Sequence, residues 1–318
     1  MTIPFFIEKY VKQIKAMNPK YDKPCEVSKL DPITFTDSEN IKLSFVALAD
    51  THLPDRNTAE KNLENIFTDI SGSKEKIDAL ILAGDIADYG FTKEYRRFFR
   101  VFTRHKNELK LLITMGNHDV RLFYKTALYN ITNGIEDLLS INLNGKPYYS
   151  YNVNGYRFIV LATEKPYLLE AYISPEQIDF LKNELKKASE ENKPCFVICH
   201  QPLDNTHGLP KVCKNGSIGK QNNQVKAVLE KHKNVFFLNG HLHSGICDYV
   251  ESIINKENNV ISINLPSYRK ENNFGSIPSG AGYICEVYED KVIFKARSLL
   301  TGGYIKGHNT YFEYPLIF

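Results

Sequence analysis

No stretch of this chain stays apolar for anything near the ~20 residues that cross a bilayer, so no membrane-spanning helix is expected. Its six cysteines show no CxxC spacing. Cys195, Cys199 and Cys285 lie inside apolar runs, where reduced cysteine behaves as a small hydrophobe. A reducing, cytoplasmic compartment is therefore expected. Neither sign of charge dominates: 40 Lys+Arg against 37 Asp+Glu leave +3 over 318 residues. That balance, without a basic run, argues against a protein built around nucleic acid or an anionic membrane. The opening MTIPFFIEKYVKQIKAM carries Glu8 and several lysines, and lacks the basic-then-apolar order of a signal peptide. No internal repeat, low-complexity tract or Pro/Gly/Ser linker divides the chain. What is left is a globular composition long enough to bury a sizeable core.

Apolar positions at Ile3, Phe6, Ile7, Tyr10, Val11, Ile14 and Met17 have helical spacing, and a polar, irregular stretch follows to about residue 41. We expect a helical appendage over 1–41 and one main domain over 42–318. Within that domain, apolar runs at 42–49, 78–83, 110–115, 194–199 and 234–238 read as buried strands. Helical patterns near 57–71, 92–106, 121–132, 174–190 and 221–231 lie between them. Ser174-Pro175-Glu176 is a helix start, with serine as N-cap and proline in the first turn. Asn154-Gly155 marks a hairpin, Glu289-Asp290 another, and residues 246–299 are rich in β-forming runs. Alternating strands and helices followed by antiparallel strands predict an α/β layered fold.

The informative pattern is how the five runs end. SFVALAD-T-H delivers Asp50 and His52; ALILAGDIAD delivers Asp85 and Asp88. LLITMGNHD delivers Asn117, His118 and Asp119; CFVICH delivers His200; VFFLNGHLH delivers His241 and His243. Carboxyl ends of strands are where open α/β sheets bind ligands. A single such ending reads as a turn residue or helix cap. Five in one chain do not. Carboxylates, imidazoles and a side-chain amide without thiolate make a ligand set suited to Zn, Mn or Fe. Seven such donors exceed what one tetrahedral ion needs, so two ions sharing a bridging carboxylate are expected.

The ordered blocks DTH (50–52), GDIAD (84–88), GNHD (116–119), His200 and GHLH (240–243) resemble the signature of the calcineurin-like metallophosphoesterases. The resemblance implies a four-layer α/β/β/α sandwich with two facing mixed sheets. It implies that Asp50, His52, Asp85 and His243 hold one metal, and that Asp85, Asn117, His200 and His241 hold the other. His118 would be the general acid and Asp119 its orienting carboxylate, with Asp88 behind the ligands. Such a site hydrolyses phosphate esters by hydroxide generated from water between two cations. Tyr89 stands where protein phosphatases carry a phosphate-clamping arginine, and GDIADYGFTKEYRRFF is more similar to the class III cyclic-nucleotide phosphodiesterase branch. The expected substrate is a small-molecule or nucleotide phosphodiester, or a monoester. Two other readings are a nuclease of the same superfamily, which would call for a basic groove, and a non-catalytic metal-binding scaffold, which would call for lost ligands. His207, in the polar loop after His200, and Asn264, Tyr268 and Arg269, after a later strand, are candidate substrate contacts.

Overall fold

Continuous apolar runs suit strands covered on both faces, and the chain uses them so. The structure, a computed structural model, describes residues 25–53, 58–105, 109–206, 217–243, 246, 254–269, 280–307 and 310–318. The helix expected over 3–17 and the candidate His207 lie outside the described residues.

One sheet contains β1 (Glu26–Val27), β2 (Leu43–Leu48), β3 (Ala79–Leu82), β4 (Lys110–Ile113), β11 (Ala281–Val287), β12 (Lys291–Ser298), β13 (Gly303–Lys306) and β14 (Tyr311–Pro315). Its order is β1-β13-β12-β11-β2-β3-β4, with β14 also paired to β12. The strands β2, β3 and β4 run parallel, and β11 joins β2 antiparallel. The other sheet contains β5 (Tyr149–Val153), β6 (Tyr156–Val160), β7 (Cys195–Ile198), β8 (Val235–Asn239), β9 (Ile254–Glu257) and β10 (Val260–Asn264). Its order is β5-β6-β7-β8-β10-β9, parallel from β6 to β10 with antiparallel strands at both edges. The main sheet thus begins with residues 26–27, inside the stretch assigned above to the appendage.

Strand side chains alternate between faces, and the alternation builds the layers. Phe158, Phe196 and Phe236 of the second sheet meet Phe45 and Phe294 of the first, with ring centroids 4.9 to 5.9 Å apart. Each such buried ring contributes about 1.5–3 kcal/mol. Their neighbours Ile159, Val197 and Phe237 face the opposite way, onto Leu181 and Leu185 of helix Pro175–Glu190 and Val225 and Leu229 of helix Asn222–Leu229. Helices Thr58–Ser71, Thr92–Arg104 and Tyr124–Leu139 contribute Ile66, Phe67, Phe98, Phe102, Ile131 and Ile135 to the core around the first sheet. Helix, sheet, sheet, helix is the expected sandwich.

Local chemistry explains the joints. Asn154 and Gly155 both take positive φ (52° and 81°), as a two-residue hairpin turn demands. Ser174 accepts from the Gln177 amide as the expected N-cap. The helix expected over 121–132 instead runs Tyr124–Leu139, because Ala127, Ile131, Ile135 and Leu138 continue its buried stripe. Arg297 on β12 is 1% exposed and grips Asp69 with two bonds of 2.6 Å, tying the sheet to helix Thr58–Ser71. Removing one partner of a buried pair leaves an uncompensated charge. Asp69→Ala is therefore expected to lower unfolding free energy by about 3–5 kcal/mol, read from the urea midpoint at unchanged slope.

Candidate metal centre

Five strands converge on one edge and stop there: β2, β3, β4, β7 and β8 deliver the polar residues read from the sequence. Asp50, His52, Asp85, His241 and His243 all have positive φ, between 38° and 74°. Among the described residues, the other non-glycine positions in that region are asparagines and one serine, so every Asp and His that adopts it lies in this cluster. Strained Asp and His at strand ends mark a place where the fold enforces side-chain direction at a cost in energy. Close approach adds a second constraint. A Cβ on Gly116 would come within 2.1 Å of the Asp85 carboxylate, and one on Gly84 within 2.6 Å of the His200 ring. Glycine is required at both.

Two clusters share Asp85. In the first, donor atoms of Asp50, His52, Asp85 and His243 all lie within 4.8 Å of one another. His243 Nε2 is 3.2 Å from Asp50 Oδ1, and His52 Nε2 is 3.6 Å from Asp85 Oδ2. In the second, His200 Nε2 is 3.3 Å from Asp85 Oδ1 and 3.1 Å from Asn117 Oδ1. His241 Nδ1 is 2.9 Å from the same amide oxygen. Orientation is built in from behind. His200 Nδ1 donates to the Ala83 carbonyl at 2.7 Å, turning Nε2 inward. Asn117 donates its amide nitrogen to Leu168 O at 3.0 Å, leaving its oxygen for the cluster.

Asp50, His52, Asp85, Asn117 and His200 are all buried. The donor set itself tests whether cations fit. His52 and His243 bring ring nitrogens to 3.0 Å, and His241 and His200 to 3.3 Å, around buried carboxylates. Such crowded donors, costly to bury alone, suit borderline metals. Burial opposes ionisation of Asp50 and Asp85, yet the surrounding imidazoles hold both carboxyls below the ordinary range. Burial also opposes the charge on His52 and His200. Asp50 and Asp88 around the first, and Asp85 beside the second, nevertheless push both up to about 9. His241, buried next to His200, is pushed down to about 3. Because metal must displace the protons of His52 and His200, metal uptake at pH 7 is expected to release protons. That release should fade as the pH passes about 9. The buffer dependence of the titration heat measures it, and equal heats in all buffers at pH 7 would contradict it.

Around His118 the arrangement departs from expectation. Its Nδ1 faces the Asp88 carbonyl at 3.0 Å, and the Asp88 carboxylate stands 3.8 Å away. Asp119 does not orient it. The Asp119 carboxylate accepts instead from the amides of Ile86, Ala87 and Gly116 and from the Tyr95 hydroxyl. It pins the GDIAD loop to the GNHD turn. Burial, with Asp85 alongside, pushes the Asp119 carboxyl up to about 6 despite those amides. Asp88 sits at a junction: its carboxylate is 3.5 Å from His52 Nδ1 and 3.6 Å from Arg269 Nη1.

Arg269 also donates to the His52 carbonyl, so the structure brings it to the site. Asn264 and Tyr268 it does not. Asn264 is buried and accepts from Asn239 between β8 and β10. Tyr268 is buried and donates to the Asn62 carbonyl. Arg121 is the residue that sequence reasoning missed. Its Nη1 is 3.2 Å from His118 Nε2 and its Nη2 donates to the Asp88 carbonyl at 3.3 Å. Burial lowers the His118 pKa, and the charges of His52 and Arg121 add to that against Asp85.

A four-layer sandwich whose five strand ends gather Asp, Asn and His defines a metallophosphoesterase-type scaffold. The chain belongs to the calcineurin-like phosphoesterase family, whose profile matches residues 43–245. It is 27% identical over 166 residues to a probable cyclic nucleotide phosphodiesterase from Rhodococcus erythropolis; the match covers 50% of this chain and 52% of that relative. A second probable cyclic nucleotide phosphodiesterase, from Fibrobacter succinogenes, is 26% identical over 62% of this chain and 71% of its own length. A 3',5'-cyclic adenosine monophosphate phosphodiesterase from Pseudomonas aeruginosa is 24% identical over 49% of this chain and 54% of its own. The chain thus matches about half the length of the first of these relatives. A dimetal phosphatase from Danio rerio aligns over 87% of this chain and 100% of its own, with TM-score 0.58 and 15% identity, a likeness of fold. No helix among the described residues is long and apolar enough to cross a membrane.

Proposed function

We propose that this chain hydrolyses phosphodiesters of small molecules or nucleotides at a two-metal centre. Asp50, His52, Asp85 and His243 would hold one ion, and Asp85, Asn117, His200 and His241 the other, with Mn, Zn or Fe as candidates. The observation that carries this reading is the Asp85 carboxylate, with one oxygen toward His52 and the other toward His200. When bound, two such cations clamp phosphate oxygens and lower the pKa of a water to supply the nucleophile.

The chain's own residues do the rest. His118 turns Nδ1 to the Asp88 carbonyl, so Nε2, which accepts from Arg121 Nη1 at 3.2 Å, would carry and hand on the proton to the leaving oxygen once Arg121 turns to the phosphate. A phosphate anion arriving beside the ring favours the imidazolium and counters the effect of burial. Arg121 and Arg269, always charged, would meet non-bridging oxygens with planar forks suited to them. The names carried by the bacterial relatives favour a diester of the cyclic-nucleotide kind.

The test is hydrolysis of bis-p-nitrophenyl phosphate against p-nitrophenyl phosphate after metal removal and refilling with Mn, Zn or Fe. Preference for the diester is expected. Preference for the monoester would move the assignment to a phosphatase, and no turnover with two ions bound would overturn the enzymatic reading.

A further inference from the structure

Beside the proposed acid the surface is apolar where it should be polar. Tyr89 is 47% exposed, Phe91 40% and Phe123 44%. Their rings follow one another: Tyr89 to Phe91 at 5.9 Å and 33°, then Phe91 to Phe123 at 5.5 Å and 37°. Three aromatic rings in a row, each with roughly two fifths or more of its surface open to solvent, leave a run of apolar surface unburied. Such exposure marks a place where something binds.

The row is continuous with the site. Tyr89 directly follows Asp88, whose carbonyl accepts from both His118 and Arg121. Phe123 lies two residues beyond Arg121. Gly90, between Tyr89 and Phe91, packs so tightly on the GNHD turn that a Cβ there would come within 2.5 Å of the Asp119 carbonyl oxygen. Glu94 accepts from the amides of Tyr89 and Phe91 and fixes the loop that carries both rings. The platform is therefore held rigidly against the turn that bears the acid.

We propose that Tyr89, Phe91 and Phe123 form a stacking subsite for the planar base of a nucleotide ester whose phosphate lies toward Arg121 and the metals. This deepens the phosphodiester reading and rests on it. Ring faces suit a base because every base has a π-face, and the subsite is therefore tolerant of base identity. A lipid surface is the competing occupant for exposed apolar groups. Aromatic rings in sequence, joined to a guanidinium and to the site itself, match a nucleotide better.

The test measures binding of the product-like ligands AMP and ribose 5-phosphate to metal-loaded protein, by thermal shift and by inhibition of turnover. AMP is expected to bind at least about fivefold more tightly than ribose 5-phosphate, the worth of one stacked base. Phe123→Ala and Tyr89→Ala, both at exposed positions, should each shrink that ratio toward one, with GMP and CMP following AMP. An unchanged ratio in both folded variants would overturn the subsite. So would aromatic-dependent sedimentation with phosphatidylcholine–phosphatidylglycerol vesicles combined with an unchanged ratio, which would assign the patch to lipid. Because thermal shift needs no turnover, a base-dependent ratio in a protein that hydrolyses no ester would uphold the subsite and sink the enzymatic reading instead.

Discussion

Asp85→Asn is expected to abolish hydrolysis and to leave the protein unable to retain two ions. One Asp85 oxygen lies 3.6 Å from His52 and the other 3.3 Å from His200. An amide offers one acceptor oxygen and a nitrogen that cannot ligate, so one side of the bridge is lost. The change also removes the negative charge that raises His52 and His200. With that charge gone, both rings lose part of what holds them protonated without metal. Metal contributes several kcal/mol of transition-state charge stabilisation, and each 1.36 kcal/mol is tenfold in rate. A loss of about a thousandfold or more in kcat/KM follows. Metal analysis of the folded variant should find fewer than two ions per chain. Two ions retained with unaltered turnover would show that Asp85 does not bridge, and the two-cluster reading would fall with it.

Much of this site was legible in the sequence, for a physical reason. Parallel strands covered on both faces read as unbroken apolar runs, so a charged or imidazole residue at the end of each is conspicuous. The runs ending in Asp50, Asp85, Asn117, His200 and His241 stand out by that contrast. The layered α/β fold followed from alternation of the same runs with helical patterns, and the four-layer sandwich from the family resemblance of the motif blocks. What stayed hidden depends on contacts between distant segments. Asn264 and Tyr268 follow a strand as the clustered Asp, Asn and His residues do, yet Asn239 takes up the Asn264 amide oxygen and the Asn62 carbonyl the Tyr268 hydroxyl. Nothing within a few residues of either announces those partners. Asp119 adjoins His118 in the chain, but the turn that aims His118 at Asp88 aims Asp119 into the amides of Ile86 and Ala87. Arg121 looked like any arginine near a helix start. Only the fold shows that three residues of turn bring its guanidinium back onto His118. Strain at Asp50, His52 and Asp85 was equally silent, because even for Asp and His positive φ is too uncommon for residue type alone to announce it.

His118→Ala should separate chemistry from metal binding. The ring is not among the donors of the Asp85-centred clusters. Only its main-chain amide reaches Asp85, at 2.8 Å, and alanine preserves that bond. Metal content and thermal stability should therefore remain those of the parent. Turnover should not. Loss of a general acid costs about a hundred- to ten-thousandfold, and the loss should depend on how badly the leaving oxygen needs a proton. A p-nitrophenyl ester leaves as a stable phenolate and should suffer at the low end. An alkyl or ribosyl ester leaves as a basic alkoxide and should suffer at the high end. That spread is the diagnostic result, because a merely structural defect would slow both substrates alike. Arg121→Ala gives the complementary pattern. It removes the guanidinium 3.2 Å from His118 Nε2 but leaves the acid in place. It should therefore raise KM through lost phosphate contact while the leaving-group dependence persists. If His118→Ala slowed both esters equally, the ring would be acting on the charge of the phosphate and not as a proton donor. The acid would then have to be sought elsewhere around the site.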